Sequence, residues 1–375
     1  MRIFVFYITQ FSGHYKVACS IAEYLKSIKD VKVRELDLFK YLFPFTERII
    51  NFLYTLTIRK FPFIWQGVYD KEFVVKNLGR LEKVIFKLAF KKLNKLFSEY
   101  RPCCVICTQA FPCILTSYYK EKTSSNFLIF AILTDFLPHR FWLNKNIDFY
   151  VTSTLEAKKR LLKEGVNPQK ILEFGIPIRK EFFEVFEEEK ILKEFNLPKN
   201  KPKILLMGGG QGIGPIANLV REFLRQNIKA HLIVVCGRNK KLYLKVKKII
   251  SNSNENSVSV FGYLEEIYKL MEVSKILISK PGGATLTEAL VKELSVIILN
   301  PLPGQENNNL KIISKYNLAF KAKDTQDAFR IAKEIIENKK DLEELKSRIR
   351  DFKKNWSPQK LANFITEKCS TISTL

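Results

Sequence analysis

The chain has 375 residues, 46% of them hydrophobic, and 63 basic against 38 acidic residues give it a net charge of +25. That length suits two domains of ordinary size with real cores. A mean hydropathy of −0.08, with no run of about 18 uncharged apolar residues, predicts no transmembrane helix. Residues 1–180 hold 30 basic and 15 acidic residues, net +15, and residues 181–375 hold 33 and 23, net +10. Such a field favours nucleic acid or anionic lipid as a partner, although lysine-rich composition also follows from an AT-rich genome or growth at high temperature. The opening MRIFVFYITQF has one basic residue and no small-residue cleavage site, so a cytoplasmic location is expected.

Residues 3–8 read as a first buried parallel strand, followed by Ser12-Gly13-His14 and helical spacing over Val17–Leu25. A histidine between strand end and helix start sits at the mouth of an open α/β sheet, where it can serve as a general base or cap the helix. Lys32–Leu38 alternates like a second strand. Residues 40–100 then carry 14 aromatics, with 12 basic and five acidic residues. This texture fits a membrane-interface segment, an aromatic helical core with a solvated basic face, or a single-strand nucleic-acid surface. Seven cysteines include one C-x-x-C, Cys104 and Cys107, inside an apolar run with no nearby histidine; buried strand cysteines are expected there. Strands at Cys103–Cys107 and Phe127–Leu133 follow, the second ending in Thr134-Asp135 with His139 and Trp142 in the next loop. Asp148–Ser153 continues the alternation, Glu156–Glu164 is a short helix, Phe174-Gly-Ile-Pro-Ile178 is a rigid turn, and Glu181–Phe195 is an acidic helix. A domain boundary falls between about 178 and 202.

The second half restarts the rhythm with a strand at Lys203–Met207, the glycine loop Gly208–Gly214 and a helix over Ala217–Gln226. The next strand ends in Cys236-Gly237-Arg238 where a dinucleotide fingerprint needs an acid, which excludes NAD. Val258–Phe261 with Gly262-Tyr263 leads to a helix over Leu264–Glu272. The stretch Ile278–Leu310 then reads as buried run, Lys280-Pro281-Gly282-Gly283, helix over Thr285–Leu294, second buried run, and a turn presenting Gln305 and Glu306. A glycine turn before a helix offers N–H groups and a positive dipole end to a phosphate, and Glu288 one turn in can meet a sugar hydroxyl. An ordinary βαβ unit would show the same glycines. Ala328–Cys369 is mainly helical, interrupted near Trp356-Ser357-Pro358.

The motifs KPGGATLTEA and NPLPGQENNN resemble the donor-sugar signature of the processive diacylglycerol glucosyltransferases and monogalactosyldiacylglycerol synthases. More distantly they are similar to the lipid I N-acetylglucosaminyltransferase of peptidoglycan synthesis. SGH, TDFLPHRFW, FGIPI, MGGGQG, VVCGRN and VFGYLEEI extend the resemblance, in order, over most of the chain. It implies an α/β GT-B fold of two facing Rossmann-like domains with an interdomain cleft. Residues 1–178 would be the acceptor- and membrane-binding domain, 179–356 the UDP-sugar domain, and the helix at about 357–375 would pack back on the first.

The resemblance further implies inverting transfer of a hexose from a UDP-sugar to diacylglycerol or a glycosyl-diacylglycerol, with no metal and no cofactor. His14 would be the base, with Asp135 beside it, and Ser12, Gly13, His139 and Trp142 on the acceptor side. Gly209, Gly210, Gln211 and Gly237 would line the donor pocket, and Tyr263 and Leu264 would hold uracil. Lys280, Gly282, Gly283 and Thr285 would meet the diphosphate, and Glu288 the ribose. Gln305 and Glu306 would contact the sugar, with Asn309 nearby. The partners expected are the UDP-sugar, the lipid and an anionic membrane surface, with the protein peripheral on the cytoplasmic face and no nucleic acid bound. Transfer of N-acetylglucosamine to an undecaprenyl-linked lipid is the first alternative, and a basic nucleic-acid-binding protein the second.

Overall fold

The computed structural model describes residues 1–373 apart from 11, 45–71, 227, 254–256, 300, 302–303 and 339. The chain divides into two compact units. Unit 1 comprises Met1–Arg179, Pro303–Gln305 and Asn355–Leu375; unit 2 comprises Lys180–Leu302 and Glu306–Lys354.

Unit 1 runs β1 (Arg2–Tyr7), α1 (Gly13–Lys26), β2 (Lys32–Asp37), α2 (Leu38–Leu42), α3 (Glu72–Tyr100), β3 (Cys104–Cys107), α4 (Ala110–Thr123), β4 (Leu128–Ile132), β5 (Phe149–Val151), α5 (Leu155–Lys163) and β6 (Ile171–Leu172). Its strands are all parallel, in the order β2-β1-β3-β4-β5-β6. Continuous apolar runs such as FVFY and CVIC are what a strand covered on both faces requires. The core is aromatic: Phe97 lies 4.3 Å from Tyr119 and 5.1 Å from Phe127, and Phe4 stacks on Phe6 at 5.0 Å, centroid to centroid. Truncating Phe97 to alanine would cost about 3–5 kcal/mol by the usual cavity arithmetic. Cys104 and Cys107 are fully buried in β3, and no three metal-ligating side chains group together among the described residues.

Much of the aromatic–basic stretch 40–100 lies outside the described residues. Where side chains of α3 are described, Phe86, Ala89, Leu93, Leu96 and Phe97 recur at helical spacing and are buried. This part of the stretch is core helix, with Lys87, Lys91 and Lys95 exposed on its other side.

Unit 2 runs α6 (Glu188–Glu194), β7 (Lys203–Met207), α7 (Ile216–Gln226), β8 (His231–Val235), α8 (Lys240–Ser251), β9 (Val258–Phe261), α9 (Ile267–Glu272), β10 (Ile276–Ser279), α10 (Gly283–Val291), β11 (Ser295–Ile298), α11 (Gln305–Lys315), β12 (Phe320–Lys321), α12 (Thr325–Ile336) and α13 (Leu342–Lys353). The parallel sheet order is β12-β11-β10-β7-β8-β9. The expected helix over Glu181–Phe195 is instead a 3-10 turn at Lys180–Phe183 and a separate α6. Glu187, Glu188 and Glu189 cluster at the start of α6, where the helix dipole favours carboxylates, so the helix begins there and not at Glu181.

The last helix, α14 (Pro358–Ser373), belongs to unit 1. Just before it, the Trp356 indole N–H donates to the Ser153 carbonyl at 2.9 Å. Gly175, at φ +83°, leaves that ring its room, because a Cβ there would lie 2.5 Å from Trp356 Cγ. Phe364 meets Phe130, Phe149 and Phe174, and Leu361, Ala362, Ile365 and Cys369 are fully buried.

Candidate functional site

In each sheet the strand order reverses direction at one point, between β1 and β3 in unit 1 and between β7 and β10 in unit 2. Loops leaving the carboxyl ends of such a pair diverge and open a crevice. The candidate residues collect at these two places.

In unit 1, Ser12 caps α1: its hydroxyl accepts from the Tyr15 N–H at 3.2 Å and donates to the Thr9 carbonyl at 2.8 Å. Ser12 and the exposed Gly13 thus shape the turn that carries His14 in the first turn of α1. His14 Nδ1 lies 3.0 Å from the Thr108 carbonyl at the end of β3 and 2.7 Å from the Thr134 hydroxyl at the end of β4. A carbonyl can only accept, so Nδ1 carries the hydrogen and Nε2 keeps a basic lone pair. The Thr108 hydroxyl donates to the His14 carbonyl at 3.0 Å, which fixes the turn from the other side. Burial lowers the His14 pKa from its ordinary value, while the Asp135 carboxylate and the Thr108 carbonyl oppose that shift. The ring is therefore neutral at pH 7 with an acid beside it that favours its protonated form.

His139 lies close enough to feel the charge of His14; burial first, then His14 and Arg160, push it down to about 3. It is a neutral ring at working pH. Trp142 is 2% exposed and a member of the unit 1 core, with its ring centroid 6.0 Å from that of His139.

In unit 2 the crevice is built from backbone. Gly237, at φ +57°, packs so tightly that a Cβ would lie 2.5 Å from the Gly210 carbonyl oxygen, and the Arg238 N–H donates to that same oxygen at 3.0 Å. Gly209 and Gly210 are half-buried and Gln211 is exposed. α10 starts at Gly283, two residues before the expected start, with Gly282 as an N-cap that supplies no side-chain hydrogen bond. Its first N–H groups, including that of half-buried Thr285, are thus presented to a ligand. Glu288 lies deeper, 4% exposed. A small pocket lies at the reversal point, lined by Met207, Gly214, Ser279 and Lys280 among others.

Gln305 and Glu306 open α11 and are not a free-standing turn. Glu306 pairs with Lys280, which ties the end of β10 to α11. Asn309 is fully buried and its amide donates to the Pro281 carbonyl at 3.0 Å, so it holds the turn before α10. Tyr263 and Leu264 are half-buried beyond β9.

Several residues at these crevices were absent from the sequence-derived set. Thr108 and Thr134 each follow a buried parallel strand, which was the signal available for them. Arg238 lies 4.7 Å over the Tyr263 ring, a cation–π contact joining the loops after β8 and β9. Gln109 Oε1 and Ser279 Oγ are buried with no hydrogen-bond partner among the described residues.

The profile of the monogalactosyldiacylglycerol (MGDG) synthase family matches residues 14–178, and that of the glycosyltransferase family 28 C-terminal domain matches residues 203–367. A processive diacylglycerol beta-glucosyltransferase of Bacillus cereus (strain G9842) is 32% identical over 91% of this chain and 87% of its own length. The chain belongs to the diacylglycerol glycosyltransferase family. Another relative of the same name, from Bacillus pumilus (strain SAFR-032), is 28% identical over 96% of this chain and 94% of its own. Among solved structures, Anabaena Alr3699/HepE in complex with UDP-glucose covers 99% of this chain and 100% of its own, with a TM-score of 0.58 and 11% identity. That likeness bears on the fold, which is the GT-B glycosyltransferase fold.

Proposed function

We propose that this glycosyltransferase moves a hexose from a UDP-sugar to the hydroxyl of diacylglycerol, or of a glycosyl-diacylglycerol, with inversion at the anomeric carbon. The observation that carries the proposal is the contact of His14 Nδ1 with the Thr108 carbonyl at the strand-order reversal of unit 1, which leaves Nε2 as the basic nitrogen. The acceptor hydroxyl gives its proton to Nε2 as its oxygen bonds to the anomeric carbon. The bond from that carbon to the phosphate oxygen breaks, and UDP leaves with the electron pair. Asp135 stabilises the imidazolium that forms.

No metal takes part in this reading. The diphosphate charge is met by the uncapped N–H groups at the start of α10 and by the loops at Gly209–Gly210 and Gly237, aimed where charge develops. Lys280 adds a cation, Glu288 meets the ribose, Tyr263 and Leu264 flank uracil, and Gln305 and Glu306 meet the sugar. The relatives' name favours glucose over galactose. The enzyme works as a peripheral protein on the cytoplasmic face of the membrane.

The test is a panel of UDP-glucose, UDP-galactose and UDP-N-acetylglucosamine, each with diacylglycerol and with an undecaprenyl-linked sugar, read by product mass. A hexosyl-diacylglycerol is the expected product. A product made only from the N-acetylglucosamine donor on the undecaprenyl lipid would overturn the assignment.

A further inference from the structure

Unit 2 carries its charge unevenly. Between Gly237 and Ser253 stand six basic residues and no acid, whereas the whole of residues 181–375 nets only +10. Five of the six are lysines on α8: Lys240, Lys241, Lys245, Lys247 and Lys248, all exposed. None of the five has an acidic partner among the described residues.

Two other surface helices of the same unit show the opposite habit. On α12, Arg330 pairs with Asp327 and Glu334, and Lys333 pairs with Glu337. On α13, Lys346 and Arg348 pair with Glu343 and Glu344, and Arg350 and Lys353 pair with Glu293. Every cation on those two helices is matched. On α8 no lysine is matched by an acid among the described residues, and Lys247 alone of the five lies over a ring of its own helix, that of Tyr243 at 5.1 Å.

Spacing gives the unmatched charge a face. Lys241, Leu244, Lys245 and Lys248 recur at i, i+3, i+4 and i+7, so they share one side of the helix. Val246 is fully buried and Leu242, Tyr243, Ile249 and Ile250 pack on the unit 2 core from the other side. Leu244, in the middle of the lysine face, is 66% exposed. A leucine among lysines suits a bilayer surface: ammonium groups reach phosphate headgroups while the apolar side chain enters the acyl boundary.

We infer that the outer face of α8 is a docking surface for an anionic lipid bilayer, a membrane contact made by the donor-binding unit itself. A row of lysines on a rigid helix gives charge complementarity to such a surface, and each contributes separately near it. The inference rests on the reading that the acceptor is a membrane lipid, but vesicle binding involves no sugar transfer, so the two can fail separately.

The test uses the full chain with phosphatidylcholine vesicles, with phosphatidylcholine–phosphatidylglycerol vesicles, and with a single-stranded oligonucleotide, all at one salt concentration. The wild type should bind the anionic vesicles best. K241E/K245E/K248E should weaken that binding at least about tenfold and flatten its salt dependence. Leu244→Ser should weaken it about threefold without changing the salt dependence. A milder K241Q/K245Q/K248Q variant, with an unchanged circular dichroism spectrum, guards against misfolding and should fall in between. Vesicle binding unchanged in both triple variants would overturn the inference. So would tighter binding to the oligonucleotide than to the anionic vesicles, lost in the same variants.

Discussion

Both sheets place their chemistry where the strand order reverses, but they build it from different material. In unit 1 the groups are mostly side chains, those of His14, Thr134, Asp135 and His139, joined by the Thr108 carbonyl and drawn from the ends of β1, β3 and β4 and its following loop. In unit 2 they are mostly backbone, supplied by two interlocked glycine loops and the first turn of α10. On the proposed reading, in which unit 1 moves a proton and unit 2 holds a diphosphate, the difference follows from what each would handle. A proton needs one basic nitrogen with a tuned affinity, and only a side chain offers that. A diphosphate needs many weak donors spread over several oxygens, which amides provide without titrating. Function in unit 1 should therefore fail by deletion of a group, and in unit 2 by addition of one.

The largest effect should come from His14→Ala, which is expected to lower kcat at least about 100-fold and leave the KM for the donor nearly unchanged. Normal turnover by that variant would remove the base from unit 1 and end the contrast. Next is Gly237→Ala, where one methyl group must displace the Gly210 carbonyl at a position of positive φ. It is expected to cost about 2–4 kcal/mol of stability and to weaken UDP binding, both measurable by thermal shift with and without UDP. Unchanged melting and unchanged UDP binding would show that the two loops do not interlock as described.

Stability against pH sharpens the same comparison. All three histidines of the chain are pushed below the ordinary value of about 6.5, His139 to about 3 and His231 to about 4. Desolvation leads in each case. The unfolded chain then binds more protons than the folded one below about pH 6.5, so stability is full above that pH and falls as pH drops. The window closes near pH 4 for His231 and near pH 3 for His139. Each histidine steepens the fall by up to about 1.4 kcal/mol per pH unit. Urea unfolding at several pH values should show His231→Gln with a shallower slope than the wild type, by about one proton. An identical slope would count against a neutral, desolvated His231.

The smallest effect is expected of Arg238→Ala. Losing the cation over Tyr263 should raise the KM for the UDP-sugar about three- to tenfold with kcat little changed, and Arg238→Lys should recover only part of it. A change confined to kcat would place Arg238 elsewhere in the reaction.

The strands and the two reversal-point loops were legible because a fully covered parallel strand leaves an unbroken apolar run, as at IFVFYI and ILLM. The first turn of α1 was legible too, since Ser12 is an ordinary helix cap. What holds His14 was not. Thr108 and Thr134 lie 94 and 120 residues away, and only the sheet order brings them to it. The same limit hid Asn309, which a motif groups with ligand contacts but whose amide serves the Pro281 carbonyl. It also hid the burial of Trp142, which stands in a loop after β4 while its environment is core. Arg238 and Tyr263 each stood in a noted motif; their contact depends on β8 and β9 being neighbours.

The return of α14 to unit 1 has a consequence for how the protein is made. On the ribosome the whole of unit 2 emerges before the helix that completes unit 1. Until then the seats of Trp356 and Phe364, beside Ser153, Gly175, Phe130 and Phe149, stand open with apolar groups uncovered. Unit 1 is the first unit begun and the last one finished. A nascent chain stalled or clipped before residue 356 would leave the base-carrying half unsealed and prone to aggregate. The order of synthesis thus acts as a completeness check on the half that carries His14.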